Sequence, residues 1–261
     1  MNVWQTTALG ALAGFTIYLG LPAARLRQRG QSFRCFLTAL ALGVLLFLIW
    51  DILSKALEPI EGALKTGVKD GQWGTFELLL TLLVVGLVVG LVGLVMFDTM
   101  AVRRRPGTPR LPQQLAMMIA TGLGLHNFSE GLAIGQAAAT GAIGFAIILV
   151  VGFGLHNITE GFAVAAPLAV GDEPPSWGFL GLAGLVGGGP TFVGTVIGYH
   201  IVSVPAFVLF LALAAGALFY IVGEMFAAAR QLQRPVWAAW GLAIGFLVAY
   251  GTDLILTVGG A

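Results

Sequence analysis

A histidine, an asparagine and a glutamate recur together in this chain, as HNFSEG at residues 126–131 and HNITEG at 156–161. The flanks agree as well, GLGLHNFSEGLAIG against GFGLHNITEGFAVA. On a helix with about 100° between residues, Glu130 falls at roughly 40°, between His126 at 0° and Asn127 at about 100°. It neighbours His126 as i,i+4 and Asn127 as i,i+3. His156, Asn157 and Glu160 repeat that arrangement. One carboxylate can thus serve two flanking ligands. Two such faces together offer two imidazoles, two amide oxygens and two carboxylates. A pair of bridging glutamates can hold two cations side by side, with His on one and Asn on the other. The set contains no sulfur, which suits Zn²⁺, Fe²⁺, Mn²⁺, Co²⁺ or Ni²⁺ and argues against Cu⁺. Histidine must be neutral to ligate, so occupancy is expected to fall as pH drops.

Both hexapeptides lie in apolar stretches long enough to cross a bilayer. An ionisable group is expensive there, about 2.5–3.5 kcal/mol for a central Asp. A buried polar network that merely locks two helices together is the bland alternative, and two aligned copies favour a metal site over it. The composition agrees with a membrane setting. Of 261 residues, 58% are hydrophobic and 10% charged, against about 25% charged in a soluble domain; the mean hydropathy is +0.94. The expected class is an all-α integral membrane protein, a single polytopic domain over 1–261, with the lipid bilayer as partner. A net charge of +1 gives no reason to expect nucleic acid. The lone Cys35 excludes an internal disulfide or a thiolate cluster and reads as a packing residue. No basic region precedes the first apolar run, so 3–22 is expected to be a span rather than a cleaved signal.

Eight transmembrane helices fit, near 3–22, 34–54, 75–98, 113–138, 142–168, 177–200, 204–228 and 235–258. Pro22, Pro112, Pro174, Pro175, Pro205 and Pro235 punctuate their ends, where proline is tolerated. Arg25, Arg27, Arg29, Arg34, Arg103, Arg104, Arg105, Arg110, Arg230 and Arg234 all fall on one side of this scheme. Only Lys55, Lys65 and Lys69 fall on the other. By the positive-inside rule both termini are predicted to be extracytoplasmic. The first three and last three spans then run in opposite senses around spans four and five, which permits an inverted repeat. Spans four and five cross antiparallel through a short link at Thr140 and Gly141, with both motifs near mid-membrane. Gly131 and Gly161 follow each glutamate and are expected to let these two helices approach closely.

These residues closely resemble the ZIP family of divalent-metal transporters, particularly its GufA-like branch, which carries HN-x-PEG motifs on its fourth and fifth helices. GFAVAAPLA after the second motif, GGGPTFVGTVIGY at 187–199 and AAGALFYIVGEM at 214–225 resemble the family's fifth, sixth and seventh helices. The resemblance implies a binuclear site. His126, Glu130, His156 and Glu160 map to its primary metal position, and Asn127 and Asn157 with both glutamates to the second, which Glu224 of the seventh span would join. It also implies eight spans in a cell (inner) membrane, metal movement towards the cytoplasm, frequent dimerisation, and an elevator-like motion of helices one, four, five and six. Ser129 and Thr159 stand where the family has proline. They bend a helix only weakly, by bonding back to a carbonyl. Leu45 stands where many relatives have a metal-contacting residue.

The expected function is therefore transport of a divalent metal, Zn²⁺ first and Cd²⁺ among the others, carried as substrate with no prosthetic group. No GxxxxGK[ST] loop is present, so direct use of ATP is not expected. A doubly charged ion moving inward gains about 4.6 kcal/mol per 100 mV, twice the single-charge value. A membrane di-metal enzyme is the rival, but the order His-Asn-x-x-Glu differs from the Glu-x-x-His of di-iron bundles, and HExxH is absent, so an enzyme is not expected. A structural metal site without transport is the other rival. Asp51 and Asp253 are expected near the outer boundary, as entrance charges or as solvated helix ends. His200 is expected at the outer interface. The six tryptophans, Trp4, Trp50, Trp73, Trp177, Trp237 and Trp240, fall near predicted boundaries, as an aromatic belt would.

Overall fold

A computed structural model describes residues 1–25, 30–102, 111–170 and 173–258. Arg27, Arg29, Arg103, Arg104, Arg105 and Arg110 lie outside them. The described residues form helices and no strands. The first rod is α1 (Val3–Phe15) and α2 (Ile17–Gly20), broken at Thr16 and closed by a 3-10 turn at Leu21–Arg25. There follow α3 (Gly30–Asp70), α4 (Gly74–Phe97) with a π turn at Asp98–Val102, α5 (Pro112–Ala139) and α6 (Ile143–Val170). The last three are α7 (Trp177–His200), α8 (Val204–Gln231) and α9 (Pro235–Val258). The first rod, α3, α4, α6, α7, α8 and α9 are long and apolar enough to cross a membrane. Their outer faces remain apolar: Val84, Val85, Val88 and Val89 on α4 and Leu247 and Val248 on α9 are exposed. A soluble monomer rarely shows such contiguous apolar surface. The α5 helix has 28 residues and is largely buried.

Local chemistry sets the ends. Ser176 and Ser203 accept the backbone N–H of Phe179 and Ala206 at 3.1 and 3.3 Å, as N-cap residues do. Gly141 has φ +83°, the left-handed conformation that suits glycine after a helix end, and turns α5 into α6. One boundary departs from the reading of the sequence. The second span, predicted at 34–54, continues as helix to Asp70, because the Leu, Ala, Lys and Glu residues beyond Ser54 are good helix formers even where they are no longer apolar. Asp51 and Lys55 thus lie within α3, not at its end.

Glycines divide the bundle into two bodies. In the first, Gly124, Gly131 and Gly135 of α5 meet the backbone of α7 at Val186, Thr191 and Thr195, and Gly194 and Gly198 of α7 meet that of α5 at Phe128 and Leu132. Gly161 of α6 meets Ile17 and Gly20, and Gly14 meets Gly188. In the second, Gly90 and Gly216 weld α4 to α8, Gly43, Gly241 and Gly245 weld α3 to α9, and the two pairs are joined by apolar side chains of α3 and α8. Among the described glycines only Gly122 reaches across, and it meets the side chains of Ile221 and Leu218 rather than backbone. Elsewhere the bodies meet through apolar side chains such as Leu45, Leu123, Val164 and Leu211. Gly131 and Gly161 therefore do permit close approach, but to α7 and the first rod; the sequence reading had them bringing α5 and α6 together.

Candidate metal centre

Both motifs lie on unbroken helices. Thr159 Oγ1 donates to the carbonyl of His156 at 2.6 Å and Ser129 Oγ to that of Leu125 at 3.4 Å, so the hydroxyls bond back to their own helices. The antiparallel crossing of α5 and α6 puts the motifs opposite one another. His126, Asn127, Glu130, His156, Asn157 and Glu160 are all buried. Ligand atoms of His126, Glu130 and His156 lie within 4.8 Å of one another, a group able to hold a metal ion. Glu130 Oε1 is 3.3 Å from His126 Nε2. Glu160 Oε1 lies 3.9 Å from His126 Nε2 and 3.8 Å from His156 Nε2, so this one carboxylate addresses both rings. His126 Nε2, His156 Nε2, Glu130 Oε2 and Glu160 Oε1 are buried without a hydrogen-bond partner. Unsatisfied buried polar atoms are rare in native structures, and a bound cation could satisfy these four.

The asparagines also bond to neighbouring helices. Asn127 Nδ2 lies 2.8 Å from Asn157 Oδ1, 2.8 Å from Glu160 Oε2 and 3.0 Å from the Gly187 carbonyl of α7. Asn157 Nδ2 donates to the Ala13 carbonyl at 3.1 Å. That carbonyl lies beside the break in the first rod, where Thr16 Oγ1 is 2.6 Å from both Ala13 O and Gly154 O. The two amides thus tie the motifs to α7 and α1. Asn127 Oδ1 is itself buried without a hydrogen-bond partner, so an amide oxygen stays available beside Glu160 and Asn157. Glu160 does bridge, but between the histidines and the Asn of the opposite helix, not its own.

Glu224 is half-buried on α8 and is not in the group formed with His126. Its own helix packs Phe210 on Phe128 beside the motif, with ring centroids 4.3 Å apart. Glu224 lies 14 residues further along, about 21 Å at 1.5 Å per residue. Leu45 is buried in the apolar core. His200 is exposed at the end of α7.

A cavity of about 340 Å³ reaches the group, with His126, Ser129 and Glu130 among its walls together with Asp51, Lys55, Glu58, Phe153 and Asp253. Ser54 and Glu58 at its mouth are exposed. This end of the bundle carries the α5–α6 turn. The opposite end gathers the basic groups, where Arg25 bonds the Pro175 carbonyl at 2.6 Å and Arg234 approaches Gln31 at 3.4 Å. Between the histidines and that basic end, Ala116, Ile119, Ala120 and Leu123 of α5 pack into the main apolar core. A cavity therefore reaches the site from the end of Ser54 and Glu58, and apolar side chains pack on the other side of it. The sequence places Asp51 near the outer boundary and Lys55 among the charges of the outer side. Their i,i+4 spacing was the legible signal for their pairing, and the long α3 is what brings the pair to the cavity.

No protein-family model matches this chain, and no curated protein matches it either.

Proposed function

We propose that this protein is a ZIP-like transporter of divalent transition-metal cations, with His126, Glu130, His156 and Glu160 as the ligands of the travelling ion. The observation that carries this reading is the set of four unpartnered His and Glu atoms, with His126 and Glu130 in the wall of a cavity that opens at the exposed Ser54 and Glu58. A resident structural metal needs no such mouth. Transport needs a site open to one side at a time, and the apolar seal of Ala116, Ile119, Ala120 and Leu123 supports a state open to the side away from the basic end. By the positive-inside rule that side is extracytoplasmic, which fits uptake through eight spans, α5 included.

The division into two bodies supports an elevator-like motion. All ligands belong to the body built from the first rod, α5, α6 and α7. Side-chain contacts between the bodies can slide, whereas the glycine-to-backbone contacts within each cannot be remade cheaply. An inverted repeat is supported by the pairing of elements: α5 with α7 corresponds to α6 with the first rod, and α3 with α9 to α8 with α4. The test is uptake of Zn²⁺ or Cd²⁺ into proteoliposomes, with His156→Ala and Glu160→Ala beside the parent. Saturable entry lost in both variants is the expected result. Tight metal binding by the parent with no flux would leave a structural site and refute transport.

A further inference from the structure

Lys55 stands in the cavity that leads to the metal ligands. Its Nζ is 2.7 Å from Asp51 Oδ2, 3.9 Å from Asp253 Oδ1 and 5.5 Å from the centre of the Phe153 ring. Asp51 on α3, Asp253 on α9 and Phe153 on α6 thus surround the ammonium from three helices. All four residues line the cavity, as do His126 and Glu130. Among the described lining residues Lys55 is the one lysine or arginine, and Asp51, Glu58, Glu130 and Asp253 supply the carboxylates. Asp51 is 4% exposed, so its charge depends on that partner rather than on water.

We propose that the Lys55 ammonium is a tethered competitor for the incoming cation. It holds the acidic approach to the site as a stand-in ion, and a divalent metal must displace it from, or outcompete it at, these carboxylates to reach Glu130. A single positive charge tethered there is too weak to hold out a divalent ion, whose attraction to each carboxylate is doubled. It is a match for Na⁺ or K⁺. Lys55 would therefore lower the affinity for the metal while favouring divalent over monovalent ions. This inference rests on the metal site proposed above and goes beyond it to the selectivity of its entrance.

The test is calorimetric Cd²⁺ binding to the purified full-length protein, in NaCl and again in choline chloride. The variants are Lys55→Met, Lys55→Arg, Asp51→Asn and Glu130→Ala. Lys55→Met is expected to bind Cd²⁺ roughly tenfold more tightly and to become sensitive to Na⁺, while Lys55→Arg keeps the parental values. Asp51→Asn, which frees the ammonium towards Glu130, is expected to weaken binding. A merely structural ion pair predicts the same direction for Lys55→Met and Asp51→Asn, because both break the pair. Lys55→Met at or below parental affinity overturns the proposal, and so does equal weakening by both variants. If Lys55→Met leaves Asp51 too exposed to strain to fold, the double variant Asp51→Asn/Lys55→Met removes both charges. It must then bind Cd²⁺ more tightly than Asp51→Asn alone, and failure to do so overturns the proposal. Loss of binding in Glu130→Ala with an unchanged Lys55→Met sinks the lysine but keeps the metal site; a parent that binds no Cd²⁺ sinks both.

Discussion

Replacing Glu160 with glutamine separates a ligand from a structural brace. Glu160 is 0% exposed. Its Oε1 faces both histidines at 3.8 and 3.9 Å, and its Oε2 takes a hydrogen bond from Asn127 at 2.8 Å. Glutamine keeps the volume and, with its carbonyl turned to Asn127, keeps that bond. The metal-free fold then loses only the difference between a charge-assisted and a neutral hydrogen bond, about 1 kcal/mol. Metal binding loses far more. Changing an outer partner of a metal ligand typically weakens affinity 10–100-fold, and removing a ligand's own charge exceeds that. We expect Glu160→Gln to weaken Cd²⁺ binding by more than about 100-fold, about 2.8 kcal/mol.

Calorimetric titration and thermal unfolding of the metal-free protein in detergent read the two effects separately. A variant that binds Cd²⁺ within about threefold of the parent, or under about 0.7 kcal/mol, would refute the assignment of Glu160 as a ligand. Asn127→Ala is the contrasting case. It strips donors from Asn157 Oδ1, Glu160 Oε2 and the Gly187 carbonyl. It is expected to lower affinity by about 10–100-fold, as an outer partner does, and to lower the metal-free melting temperature as well. A melting temperature equal to the parent's would show that the amide bonds do not hold the motifs in place.

Two further outcomes follow from the same geometry. Gly131→Leu drives a side chain into the Thr191 carbonyl of α7, whereas Gly144 has open space around its Cα; overpacking costs about 1–3 kcal/mol, so thermal unfolding should drop for Gly131→Leu and stay parental for Gly144→Leu. Cd²⁺ affinity should fall when His126 or His156 is replaced by alanine, because the Nε2 of each ring is buried without a hydrogen-bond partner beside Glu160; parental affinity in either variant would show that its ring takes no part.

The parts legible in the sequence are those set by local rules. The i,i+4 spacing of His126 with Glu130 and of His156 with Glu160 put ring and carboxylate on one face before any fold was known, and they are 3.3 and 3.8 Å apart. Prolines marked ends correctly, with Pro112 and Pro235 opening α5 and α9. What escaped was non-local. Helical angles say where Asn127 and Asn157 point, but not that a break at Thr16 presents the Ala13 carbonyl to one of them. A glycine after each glutamate signals close approach without naming the neighbour, which turned out to be α7 and the first rod. Hydropathy ended the second span at residue 54 because Lys55, Glu58 and Glu61 follow. Helix propensity has no stop at that point, since Lys, Ala, Leu and Glu follow before Pro59, and the continuing helix holds Lys55 in the wall of the cavity.

The partition of charged groups between the two bodies has a mechanical consequence. His126, Glu130, His156 and Glu160 belong to α5 and α6, while Asp51 and Lys55 belong to α3 and Asp253 to α9. Ligands and ammonium therefore sit on opposite sides of an interface that glycines do not weld. Thr252 of α9 faces His156 Nδ1 across it at 3.4 Å, and Phe47 of α3 lies 6.2 Å from the same ring between centroids. If the first body slides towards the basic end, the ligands leave Lys55 behind with its own carboxylates. The competing charge then acts only while the site is open to the side from which metal arrives. Release on the other side takes place without it, and an empty site returning outward meets the ammonium again. A charge fixed to the ligand-bearing body would oppose binding equally in both states. One fixed to the other body biases only the loading step, which is where discrimination between cations has to occur.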